Sequence, residues 1–230
     1  MTRGGEWRMM LDGPGAGGAH MARDERLAWE SVPTVRFFEW RPAAVSLGWK
    51  QARPEWLPSA GAAWVERPTG GGIALHGTDL SLSVVVPRGL ALPLDTLMQA
   101  VCRSAARLCE SFGATAEPLL DAPGSGRVTY CLAEESPYAV LIGGRKVAGF
   151  AVRRYPESWL VQGSLLVRPM DAAVAGWLPQ AARRALLAHA VALADAVPVA
   201  VTEAVAAERW AQQWGAWWDA ALLDALGVSA

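Results

Sequence analysis

The apolar residues of this chain come in short runs, each cut by glycine, proline or charge. Hydrophobic residues fill 52% of its 230 positions. No uncharged apolar stretch reaches the roughly 18 to 20 residues that a membrane-spanning helix needs. The longest candidate, Ala185 to Val201, contains His189, Asp195 and Pro198. Such a pattern calls for a globular fold of many short elements around a sizeable core. It excludes a disordered chain. The charges nearly cancel, 21 Lys+Arg against 22 Asp+Glu. The chain therefore offers no basic face for nonspecific nucleic-acid binding or for membrane adsorption.

The order of the runs predicts the fold class. Glycine-rich residues 4–18 predict a strand and a loose turn, and Met21 to Glu30 a helix. Thr34 to Trp40, rich in aromatic and β-branched residues, reads as a strand closed by Pro42. Ala44 to Leu47 and Trp64 to Arg67 are two more strands, the second running into Pro68-Thr69-Gly70-Gly71-Gly72. Ile73 to His76 and Leu80 to Val86 read as strands around a turn at Gly77-Thr78-Asp79. Leu94 to Gly113 is an amphipathic helix, with apolar residues at Leu97, Met98, Val101, Ala105 and Leu108 near the 3.6 period. Thr115 to Arg127, with its prolines and glycines, reads as a loop. Tyr138 to Ile142 and Val147 to Val152 flank Gly143-Gly144, a hairpin signal. A strand from Trp159 to Val167 follows, then helices over Gln180–Ala196 and from Thr202 to about Leu226. Strands with one helix inside, then helices, predict an α+β fold with a mostly antiparallel sheet flanked by helices.

The N-terminus lacks an apolar signal core, so a cytoplasmic address is expected. Three cysteines, none in a CxxC pair, argue against a disulfide scaffold and against structural zinc. With three histidines, no metal site is expected.

Several residues admit both a chemical and a structural reading. The three glycines after Thr69 either make a tight bend or let backbone N–H groups converge on an anion. Lys146, just past the Gly-Gly turn, is either a solvated hairpin lysine or an ammonium fixed in a pocket. Cys131 is either a small buried hydrophobe or a nucleophile needing a nearby cation or base. Cys102 and Cys109, seven apart, share one helix face, expected to be the buried one. Arg67 is a surface arginine or a clamp for carboxylate or phosphate. His76 and His20 are structural or bases. Trp210, Trp214, Trp217 and Trp218 recur at helical spacing and are expected to pack the last helix on the sheet.

Read in order, these pieces resemble the biotin/lipoate A/B protein ligase family. His20-Met21-Ala22-Arg23-Asp24-Glu25 is similar to its N-M-A-x-D-E, and Pro33 to Trp40 with Ser46, Gly48 and Gln51 to its P-x-x-R-F-y-x-W…S-x-G…Q segment. Arg67 to His76 is similar to R-x-[ST]-G-G-[GR]-A-v-x-H. Gly144 to Ala151 is similar to G-[RK]-K-[IV]-x-G-x-A, and Gln162 to Leu166 to H-G-[ST]-L-L. The likeness spans roughly residues 7–170, with the helical part at 180–226 beyond it.

The resemblance implies one catalytic domain over residues 1–230, like that of biotin protein ligases and class II aminoacyl-tRNA synthetases. It implies transfer of octanoyl or lipoyl groups to a lysine of a lipoyl domain. Lys146 would be the essential lysine. Arg67, Gly70, Gly71, Gly72, His76, Gly149 and Ala151 would bind the acyl substrate in an apolar tunnel ending near Lys146. In the octanoyltransferase branch, acyl carrier protein is the donor, a cysteine carries the acyl group and no cofactor is needed. Cys131, 15 residues before Lys146, has the spacing of that nucleophile. Lys146 would then stabilise its thiolate. In the ligase branch, ATP and Mg²⁺ make an acyl-adenylate that Lys146 holds. The chain ends after its last helices, with no room for an accessory ligase domain expected, which favours the transferase, or a ligase that works without that domain or takes it from a separate chain. Gly72 in place of arginine leans towards ligase. Gln162 in place of histidine, His20 in place of asparagine and Gly77 in place of aspartate mark further departures. A third reading is a silent protein that binds lipoyl domains.

Overall fold

Two strand segments, 34–40 and 79–87, are buried along nearly their whole length, which requires cover on both faces of the sheet they share. The computed structural model describes residues 7–120 and 128–225. In chain order the elements are β1 (Arg8–Gly15), α1 (Gly17–Glu30), β2 (Thr34–Trp40), β3 (Ala44–Leu47), α2 (Trp56–Ser59), β4 (Trp64–Glu66), β5 (Ala74–His76) and β6 (Asp79–Pro87). Then come α3 (Leu94–Ser111), β7 (Ala116–Leu119), β8 (Ala139–Ile142), β9 (Arg145–Arg154), β10 (Ser158–Leu166), α4 (Ala172–Ala175), α5 (Gln180–His189), α6 (Leu193–Ala196) and α7 (Glu203–Ala225). The large sheet runs β1-β2-β6-β10-β9-β8-β7, and a small one runs β4-β3-β5. Pairing is antiparallel except at β1–β2 and β3–β4. This is the α+β architecture that the element order predicts. Among the described residues, no helix is long and apolar enough to cross a membrane.

Alternation along the strands separates two unlike faces. Leu80, Leu82, Val84 and Val86 of β6 join α3 and α7 in the main core. Trp210 and Trp214 of α7 are fully buried there, and Trp210 Nε1 donates to Ser104 Oγ at 2.8 Å. Cys102 and Cys109 lie buried on α3, and burial pushes the Cys109 thiol up to about 12. The opposite face carries Ser81 and Ser83, and α1 packs over part of it.

Arg36, fully buried under α1, donates Nε to Asp12 Oδ2 at 2.6 Å and Nη1 to Asp24 Oδ1 at 2.5 Å. Its Nη2 donates to His20 Nδ1. Because a guanidinium only donates, Nδ1 must keep its lone pair, and Nε2–H faces the Glu39 carbonyl at 2.9 Å. This network places α1 on the sheet.

Several elements depart from the sequence reading. The first helix begins at Gly17, before the expected Met21, since helical bonding starts with His20 N on the Ala16 carbonyl. Part of the expected loop is strand β7. Pro118 is tolerated there because β7 is the sheet's outer strand. Helix 180–196 splits into α5 and α6, because Val191 N turns to the Lys146 carbonyl at 3.0 Å. β5 and β6 flank the expected turn but enter different sheets. The glycine-rich start at residues 4–6, the loop portion 121–127 and Leu226 lie outside the described residues.

Burial and the Arg36 charge lower the pKa of His20 below its ordinary 6.5. The unfolded chain thus takes the proton more readily. Stability is complete above about pH 6.5 and falls as pH drops towards the folded value. The urea midpoint of the protein should fall between about pH 7 and pH 5, and His20→Asn should flatten that slope.

Candidate active site

The tri-glycine bend is held from within by Arg67. This buried side chain donates Nη2 to the Gly70 and Gly72 carbonyls at 2.6 and 2.7 Å. Its Nη1 reaches the Ser46 carbonyl and hydroxyl, both at 3.2 Å. Gly71 sits at φ +87°, where a side chain would be strained, and a Cβ on Gly48 would strike the Gly71 carbonyl at 2.1 Å. Burial lowers the Arg67 pKa. The bend leads directly to the cysteine. Ile73 N donates to the Thr129 carbonyl at 2.7 Å, and Cys131 N to the Ile73 carbonyl at 2.8 Å. The Glu134 carboxylate accepts from Thr129 N and Tyr130 N, each at 2.9 Å, and closes the turn.

Lys146 reaches the same place by a bulge. Gly143 and Gly144, at φ 56° and 73°, form the expected hairpin turn between β8 and β9. Val140 pairs with Ala148 but Leu141 with Lys146, so Val147 is an extra residue in β9. Strict alternation would set Lys146 and Gly149 on opposite faces; the bulge puts them on one. Lys146, 4% exposed, donates Nζ to the Cys131 carbonyl at 2.6 Å, the Glu134 carbonyl at 3.3 Å and Ser136 Oγ at 2.6 Å. A Cβ on Gly149 would lie 3.0 Å from Lys146 Cε, 3.2 Å from Cys131 Sγ and 3.3 Å from Lys146 Nζ. Thiol and ammonium therefore border the same position, one kept bare by glycine.

From Gly149 a trough of small residues crosses the sheet. Gly149 pairs with Ser164, Ser164 with Ser81, and Ser81 with Phe38. The hydroxyls do not point into the trough unsatisfied. Ser164 and Ser81 donate to Asp79 Oδ2 at 2.7 and 3.2 Å. Above the trough is a cavity of about 90 Å³. His76 forms part of its wall, stacked on Trp40 at 3.9 Å, with Nδ1 2.8 Å from Asp79 Oδ2 and Nε2 2.8 Å from Ser46 Oγ. Burial opposes ionisation of Asp79, but the His76 charge and the hydrogen bonds around the carboxylate hold its pKa below the ordinary value. The Ser46–His76–Asp79 line has the spacing of a nucleophilic triad. Ser46 is fully buried, however, and its oxygen already accepts from Arg67 Nη1 at 3.2 Å.

Cys131, Lys146 and Gly149 thus converge. Cys131, Gly149, Ala151, Gly71, Gly72, Arg67 and His76 all line the cavity, and Gly70 contributes its carbonyl to Arg67. His20 lies in the Arg36 network instead. Sequence reasoning missed Ser136, which carries no spacing signal, and gave no role to Ser46 and Phe38 although both lie in a quoted motif. It also missed the link of Gln162, which accepts from Thr69 Oγ at 2.7 Å and donates to Asp24 Oδ2 at 2.6 Å. That link ties the glycine bend to α1.

Residues 19–210 match the model of the lipoyl protein ligase A/B catalytic domain. The chain belongs to that family. Octanoyltransferase LipM of Symbiobacterium thermophilum is 32% identical over 179 residues, 70% of this chain and 65% of that protein. LipM of Bacillus subtilis is 30% identical over 181 residues, with the same coverage of 70% and 65%. The chain thus spans 65% of the length of these relatives. Among solved structures, a T. acidophilum protein described as a lipoate protein ligase, with lipoic acid bound, superposes with a TM-score of 0.70 at 18% identity. That match covers 97% of this chain and 86% of the other. Biotin protein ligase from Aquifex aeolicus gives a TM-score of 0.52 at 11% identity, covering 95% and 70%. The fold is that of the lipoate and biotin protein ligases.

Gly149→Ala should push the Lys146–Cys131 pair apart with little loss of stability. The rate of the acyl transfer proposed below should fall by about tenfold or more, since misplacing reacting groups by a fraction of an ångström is costly. Steady-state rates beside thermal melting curves check this.

Proposed function

We propose that the chain is the catalytic domain of a protein acyltransferase that moves an octanoyl or lipoyl group to a lysine of a lipoyl domain. The observation that carries this reading is that Cys131 Sγ and Lys146 Nζ both border the bare Gly149 position, at one end of the trough. The trough crosses three strand spacings from Gly149 to Phe38, about 14 Å, a length of the order of an extended medium acyl chain. The Cys131 thiolate attacks the thioester carbonyl of an acyl carrier protein, and the donor thiolate leaves and takes up a proton. The amine of the acceptor lysine then attacks the acyl-Cys131 thioester. An amide forms, the amine gives up a proton, and the Cys131 thiolate is released. Thioester exchange is nearly balanced and the amide is more stable, so this route uses no nucleotide. The names of the LipM relatives support the same chemistry.

One feature favours a second reading, an ATP-dependent lipoate–protein ligase. The hydrogen bonds of Lys146 Nζ among the described residues go to two carbonyls and Ser136, and none goes to the thiol. In that scheme ATP and Mg²⁺ activate the free acid, Lys146 holds the acyl-adenylate, and Cys131 is a bystander.

Intact-mass analysis with octanoyl carrier protein separates the two. The protein should gain one octanoyl group on Cys131 without ATP, and Cys131→Ser should abolish both the adduct and transfer to a lipoyl domain. Label on the lipoyl domain only with ATP, Mg²⁺ and free acid, unaffected by Cys131→Ser, would reject the transferase reading. A silent binding protein would give neither product.

A further inference from the structure

A second opening adjoins the acyl cavity, and its chemistry differs. It has a volume of about 350 Å³ and shares Met21 and Arg67 with the inner cavity. Where the inner wall is apolar, this cleft presents Trp49, Arg153 and Pro68. Trp49 is 42% exposed. Cations hold both it and its neighbours: Arg153 Cζ lies 4.1 Å from the Trp49 ring centroid and 4.9 Å from that of Tyr155, and Lys50 Nζ lies 4.4 Å from Trp49. Lys50 occupies a left-handed backbone position, φ 57°, with its N–H on Glu66 Oε1 at 3.2 Å. Arg153 Nη1 donates to the Pro68 carbonyl at 3.0 Å, immediately before Thr69 and the glycine bend. Among the described residues neither Arg153 nor Lys50 forms an ion pair with a carboxylate. Glu25 and Glu66 border the cleft, Glu66 being turned to the Lys50 backbone. The guanidinium is thus fixed by stacking and one carbonyl, with donors to spare.

Its position relative to the thiol is set by strand geometry. Gly149, Ala151 and Arg153 are alternate residues of β9, on one face, and the first two line the acyl cavity. Four residues of strand place Arg153 about 13 Å along β9 from the glycine that Cys131 touches. The acyl trough runs across the strands, so the direction along β9 is left for the other half of a thioester donor.

The geometry points to a site for the phosphopantetheine arm of that donor: the arm lies along β9 over Ala151, and Arg153 and Lys50, flanking Trp49, hold its anionic phosphate. An extended pantetheine arm covers a length of the same order as the Gly149–Arg153 separation. The inference rests on the thioester reading of Cys131. The same phosphate is carried by acyl carrier protein and by coenzyme A, so both are donors under test.

Initial rates of Cys131 acylation are measured with octanoyl carrier protein, octanoyl-coenzyme A and octanoyl-pantetheine, the last without phosphate. The protein should prefer the two phosphate-bearing donors through KM. Arg153→Ala should cut that preference by about tenfold, the loss of one hydrogen bond to a charged group, and Arg153→Lys should restore part of it. Lys50→Ala should cut it less. An equal rise in KM for all three donors would overturn the site, because it would show a structural role. A loss confined to the carrier protein would overturn it too, placing Arg153 against the carrier polypeptide instead of the phosphate. Unchanged preference in Arg153→Ala would also reject it, while acylation by octanoyl-pantetheine would leave the Cys131 chemistry standing. If no thioester acylates Cys131, the parent reading fails first.

Discussion

A buried ammonium needs oxygen around it, and Lys146 finds its acceptors in one short stretch, residues 131–136. Two of them are backbone carbonyls, so the lysine fixes the path of the chain that carries Cys131, and only through that path the place of the thiol. The β9 bulge makes this possible, because it turns a side chain that alternation would send into the main core towards the cavity instead. Gly149 completes the arrangement by leaving the volume in which Nζ and Sγ approach.

The other wall rests on a second buried cation with a different task. Arg67 spends its donors on the glycine bend and on Ser46, so it shapes the pocket in place of gripping a free anion. Beneath it the polar groups form a closed account: Asp79 absorbs the hydroxyls of Ser81 and Ser164 and one nitrogen of His76. A groove floored by satisfied hydroxyls and walled by Trp40 and Phe38 suits an alkyl chain, which has nothing to offer a hydrogen-bond donor.

Most elements were legible in the sequence because their signals are local. Periodicity marked α3, Gly143-Gly144 marked the hairpin, and aromatic and β-branched runs marked β2 and β10. The failures share a cause. Pro118 argues against a strand unless that strand lies at the edge of the sheet. Nothing between Gln180 and Ala196 announces a break at Ala190, since the break exists to serve the Lys146 carbonyl on another element.

The order of motifs along the chain was enough to establish the family and the α+β class and to single out Cys131 and Lys146 as candidates, because residue types and spacings record local chemistry. Which face Lys146 takes, how Cys131 comes to lie over Gly149, and the turning of Arg67 towards backbone carbonyls follow from assembly alone. A bulge, a bridge to Ile73 and a row of small residues on three neighbouring strands are relations between distant segments, and no window of sequence contains them.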